Sequence, residues 1–102
     1  MSSVKSSYAV VWSNGTELAS GRLELHPDRF ELHGRDDELA IAFSDLTGAS
    51  IARRQADRLR GLAVLLLNLR DGGQVRIASL EGPGVLHELA QHVERAGLTV
   101  TA

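Results

Sequence analysis

The chain has no cysteine. Disulfides, thiolate nucleophiles and cysteine-based zinc or iron–sulfur sites are therefore excluded. No apolar run is long enough for a membrane helix. The longest, residues 62–67, falls far short of the roughly 20 residues such a helix needs. The start, Met1-Ser2-Ser3-Val4-Lys5-Ser6-Ser7, lacks the apolar stretch of a secretory signal. Asn14-Gly15-Thr16 matches a glycosylation sequon, but without such a signal it reads as a turn. Neither sign of charge dominates. Eleven Lys and Arg against thirteen Asp and Glu leave −2, so the net charge steers the molecule to no partner. These absences set the expectation of a reducing, cytoplasmic compartment.

What is present is alternation. In residues 21–34, apolar side chains fall at Leu23, Leu25, Phe30 and Leu32 with polar ones between them. Period two places successive side chains on opposite faces of a strand. Pro27-Asp28 interrupts the run, because proline fixes φ and cannot donate to a ladder. This predicts a half-buried β-hairpin, with Leu25 opposite Phe30. The chain of 102 residues is one domain, large enough to bury roughly 60–70% of its unfolded surface.

The same pattern continues along the chain. Residues 1–7 are small and polar and predict a disordered tail. Strands are expected at 8–12, 17–26, 29–34, 38–43, 49–53, 61–69 and 75–79. Asn14-Gly15 is a strong signal for a type I′ hairpin. Asp71-Gly72-Gly73 predicts a second tight hairpin. Residues 44–48 read as a turn. In residues 85–96, Leu86, Leu89, Ala90 and Val93 recur at helical spacing and give one apolar stripe. Gly97 is placed to end that helix in the left-handed conformation. The expected domain spans 8–98, with a short tail at 99–102.

Several of these features together resemble the pleckstrin-homology-like superfold, in its bacterial, GRAM-like branch. They are the strand order, the Gly-x-Leu-x-Leu…Phe-x-Leu-x-Gly hairpin at 21–34, the Phe43-Ser44-Asp45-Leu46 turn, the Asp71-Gly72 hairpin and the terminal helix. The resemblance covers residues 8–97. It implies a mainly β fold (α+β by content): an antiparallel barrel of about seven strands capped by one C-terminal helix. It also implies a platform for protein or peptide partners. Phosphoinositide-binding members carry basic residues on strand one, the first loop and strand two. Here Ser13-Asn14-Gly15-Thr16-Glu17 has none and only Arg22 lies nearby, so the resemblance does not extend to that ligand.

Catalytic and metal constellations are not apparent from the sequence. His87 and His92 sit at i and i+5, about 140° apart on a helix, whereas a zinc-protease helix needs i and i+4. His26 and His33 flank the Pro27 turn and are expected not to converge on one ion. Ser44-Asp45 reads as a turn pair, and no Gly-x-Ser-x-Gly elbow exists. Asp36-Asp37-Glu38 lacks the spacing of a calcium loop. Gly82-x-Gly84 lacks the third glycine and the βαβ context of a dinucleotide fingerprint. The expectation is a protein that is not an enzyme, with no metal and no cofactor.

One surface stands out. Arg53, Arg54, Arg58 and Arg60 lie within eight residues and are opposed only by Asp57. The segment carries +3, while the other seven basic and twelve acidic residues carry −5. All four arginines are expected to project to solvent, where guanidinium groups suit carboxylate or phosphate. The expected function is a non-catalytic interaction module for a protein or peptide partner, capable of weak self-association. The alternative is an anionic ligand or lipid surface bound through these arginines. Nucleic acid is the weakest candidate, because no aromatic residue interleaves them for base stacking. Residues 62–69 are apolar on both faces. One face must fill the core, and the other needs cover, which a second subunit or partner would supply.

Overall fold

The computed structural model describes residues 6–15, 17–82 and 84–101. Eight strands and one helix follow one another as β1 (Ser6–Ser13), β2 (Leu18–Leu25), β3 (Arg29–Gly34), β4 (Glu38–Ala42), β5 (Leu46–Ala52), β6 (Val64–Leu69), β7 (Gln74–Ser79), α1 (Gly84–Arg95) and β8 (Val100–Thr101). They form one mixed sheet in the order β4-β3-β2-β1-β7-β6-β5-β8. Every ladder is antiparallel except β5 with β8. The fold is therefore mainly β with one C-terminal helix. The sheet has two open edges, β4 and β8, so closure into a barrel is not seen in its ladders.

Alternation explains the core. Val10 and Trp12 of β1, Leu23 and Leu25 of β2, Phe30 and Leu32 of β3, and Ile41 of β4 share one buried cluster with Leu65 and Leu67 of β6 and Ile77 of β7. Strands from both halves of the sheet thus face the same interior, and the sheet bends over itself. Leu86, Leu89, Ala90 and Val93 of α1 complete the cluster. The helix packs on β5, β6, β7 and β8. Its end is the predicted left-handed glycine: Gly97 has φ +95°. Gly97 N–H donates to Glu94 O at 2.9 Å and Leu98 N–H to Val93 O at 3.4 Å, the bond pair of a Schellman cap.

Several expectations need correction. Ser6 and Ser7 are not tail; they belong to β1 and pair with Leu25 and Glu24. Residues 1–5 lie outside the described residues. The C-terminal tail is likewise partly strand, because Val100 and Thr101 lie beside Ala49 and Ser50 of β5. β5 starts at Leu46 rather than 49. Gly48 sits where the β5–β6 register slips, so a bulge carries the strand through what reads as a turn. The Asn14-Gly15 connection is a four-residue loop, since Ser13 pairs with Leu18. Gly15 is positive at φ +130° and Asn14 is not, so the type I′ turn does not form.

The connection from β5 to β6 is a flap. After β5 it makes a 3-10 turn, Gln55–Asp57. It then folds into a tight hairpin in which Leu59 and Leu62 exchange both backbone bonds, at 3.1 and 2.8 Å. Arg60 and Gly61 take φ +50° and +76° at its tip. The flap lays Leu59 on Val11, Val64 and Ala78, a second small core on the outer face of the sheet. The cover expected from a partner for β6 is thus supplied at Val64 by the chain itself. Leu66 remains half-buried.

Candidate functional site

The four arginines all belong to the flap or its approach. Arg53 and Arg54 follow β5, Arg58 caps the 3-10 turn and Arg60 sits at the hairpin tip. All four are exposed. Arg58 departs from the expectation of free projection: its Nε donates to Arg53 O at 2.9 Å and its Nη1 to Gly61 O at 3.3 Å. Its guanidinium staples the flap to itself. Among the described residues, no carboxylate lies within ion-pair distance of Arg53, Arg54, Arg58 or Arg60. Their charge is not neutralised by local ion pairs.

Beside the arginines lies an apolar groove that sequence reasoning missed. Leu62, Ala63, Leu80 and Leu86 line it, with Arg58 at its rim. Leu62 is 37% exposed and Leu80 49% exposed, among the few large apolar side chains left to solvent. Leu80 directly follows β7, where alternation stops, and the sequence gives no sign of which way it turns. On the other side of Arg58, a polar depression is lined by Arg53, Gln55 and Gly61. Arg58 therefore stands between an apolar groove and a polar one.

A second constellation lies on the outer face of the β2–β3 hairpin. The pairing of Leu25 with Phe30 is as expected, and it places Glu24 directly opposite Glu31. His26 and His33 lie on the same face, on either side of that rung. The two imidazoles approach the same pair of carboxylates, and of the two only His33 shares a metal-compatible group with them, in keeping with the expectation that they do not converge on one ion. His33 Nε2 is 3.2 Å from Glu24 Oε1 and 3.2 Å from Glu31 Oε1. His26 Nε2 is 3.6 Å from Glu24 Oε1 and 3.5 Å from Glu31 Oε2. His33 Nδ1 faces Glu38 Oε1 of β4 at 3.5 Å. Arg29 Nε donates to Glu31 Oε2 at 2.6 Å.

The electrostatics follow from these contacts. Arg29, by its hydrogen bond, holds the Glu31 carboxyl below its usual range. Burial pulls the His33 pKa down, but Glu38, Glu24 and Glu31 outweigh it, and the net direction is up. One donor atom each of Glu24, Glu31 and His33 lies within 4.8 Å of the other two, close enough for the three to be drawn onto one ion. The helix histidines His87 and His92 belong to no such group among the described residues.

No family model matches the chain, and no curated protein matches it in sequence. Its fold is similar to the crystal structure of the C-terminal domain of an unknown protein from Leishmania infantum. The two share 12% identity over 89% of this chain and 84% of the other, with a TM-score of 0.70. At that identity the likeness establishes a shared fold alone.

Proposed function

We propose that the chain is a non-catalytic binding module of the pleckstrin-homology-like type, and that it binds a peptide segment carrying acidic residues around an apolar anchor. The observation behind this reading is the placement of Leu62 and Leu80 in one groove with Arg58 at its rim. An apolar anchor buried between two leucines supplies affinity. Arginines without carboxylate partners among the described residues supply attraction and orientation. The superfold assignment is supported by the strand order, in which two meanders meet at β1 and β7, and by the single terminal helix. A barrel in this reading is the bent sheet with α1 over its open end.

A peptide is favoured over a lipid surface because the groove is mainly apolar and, among the described residues that line it, Arg58 is the one basic residue. It is favoured over nucleic acid because no aromatic side chain lines the groove or the polar depression. The test is binding of short labelled peptides with Asp and Glu around one Leu or Phe, followed by fluorescence anisotropy. Leu62→Ala with Leu80→Ala should weaken binding about tenfold or more, mainly by faster dissociation. Alanine at Arg53, Arg54 and Arg60 should slow association and flatten the salt dependence. Arg58 stays unchanged because it holds the flap. Binding to anionic vesicles without peptide binding overturns the reading in favour of a membrane surface. Self-association that depends on Leu62 and Leu80 overturns it in favour of a second copy.

A further inference from the structure

We propose that Glu24, Glu31 and His33 form a binding site for one divalent transition-metal ion of the zinc type, with Glu38 and His26 as its positioning residues.

The donor spacing suits such an ion. In a tetrahedral site with bonds of about 2.0–2.2 Å, neighbouring donor atoms lie about 3.3–3.5 Å apart. His33 Nε2 lies 3.2 Å from an oxygen of each glutamate. The third pair, Glu24 with Glu31, lies within 4.8 Å, and because the two glutamates face each other on paired strands, side-chain rotation alone can bring their oxygens onto a shared ion.

Neighbouring side chains support the donors. A metal-bound imidazole usually gives its other nitrogen to a carboxylate, which fixes the ring. His33 Nδ1 faces Glu38 Oε1 at 3.5 Å while its Nε2 faces the two candidate ligands. Arg29 occupies Glu31 Oε2, which leaves Oε1 directed at His33. His26, 5% exposed, lies against both carboxylates from the turn side.

Charge also favours a cation here. Like charges directly opposite on neighbouring strands destabilise the pair. Glu24 faces Glu31 in that way, and Arg22 turns its Nε to Ser7 Oγ at 2.7 Å rather than to Glu24. A divalent cation neutralises both carboxylates at once and ties β2 to β3. One imidazole with two carboxylates selects zinc, cobalt or nickel over magnesium or calcium, which prefer all-oxygen sites. Three protein ligands leave a fourth position for water or for a side chain of a partner.

The test is zinc uptake by the full chain, free of any histidine tag, by equilibrium dialysis and calorimetry. One zinc per chain is expected, and cobalt should give a visible ligand-field band. His33→Ala and Glu24→Gln should each lower affinity by more than about 100-fold. Glu38→Gln and His26→Gln should lower it about 10- to 100-fold and keep one ion per chain, with a shifted cobalt spectrum. His87→Ala, on the helix, should change nothing. Glu24→Gln removes a like-charge contact with Glu31 together with its contacts to His26 and His33; its metal-free melting temperature, measured alongside, separates lost ligation from unfolding. No uptake at micromolar zinc overturns the proposal. So does uptake that survives His33→Ala, or uptake that magnesium and calcium share equally.

Discussion

Gly21 shows how much a single position can decide. It stands opposite Gly34 in the β2–β3 ladder. A Cβ on Gly21 would lie 2.0 Å from His33 O, which is backbone and cannot step aside. A Cβ on Gly34 would meet the Trp12 ring at 3.0 Å. The two glycines that bracket the hairpin motif therefore permit a close crossing beside the indole. Gly21→Ala should cost at least about 2 kcal/mol in urea unfolding, because the strands must separate to admit one methyl group. A loss below about 0.5 kcal/mol would mean that the crossing is not tight. At this scale the sequence was also informative about the metal constellation. Once Leu25 pairs with Phe30, Glu24 must oppose Glu31, and His26 and His33 must flank that rung on one face. Comparing the two imidazoles only with each other hides this, since the carboxylates between them bring them together.

Among the elements, periodicity separates what could be read from what could not. The helix stripe of Leu86, Leu89, Ala90 and Val93 is buried as its spacing predicts. The flap carries no period, since residues 53–58 are polar apart from the exposed Ala56, and Leu59 packs on the sheet. Its cover over Val64 is a tertiary contact of one leucine, which no local pattern announces. The final strand is two residues long, too short for alternation to show. These differences predict different energies. Leu89, fully buried beneath the sheet, should cost about 3 kcal/mol on truncation to alanine. Leu59→Ala should cost about 1–2 kcal/mol, because a small outer cluster can open on its own. Hydrogen exchange checks the second claim: Leu59→Ala should release the Leu59 and Leu62 amides while leaving β2 and β3 protected. Equal loss of protection throughout would make the flap part of the global unit.

For the whole molecule, two consecutive meanders, β1 to β4 and β5 to β7, are joined through one ladder between β1 and β7. Within each meander every strand pairs with its neighbour in sequence. Only β1–β7 and the short β5–β8 ladder connect distant segments. Such closure must overcome the entropy of the whole intervening chain before its contacts are gained. The seam pairs Trp12 with Ile77 and Val11 with Ala78, and its closure is expected to be the slow step of folding. During synthesis β1 must wait with one edge bare until β7 has been made, more than sixty residues later. In stopped-flow experiments, Ile77→Val should slow folding. Leu32→Ala, inside the first meander, should act mainly by speeding unfolding. If both variants behave so, time for this chain is governed by one pair of strands at the middle of its sheet.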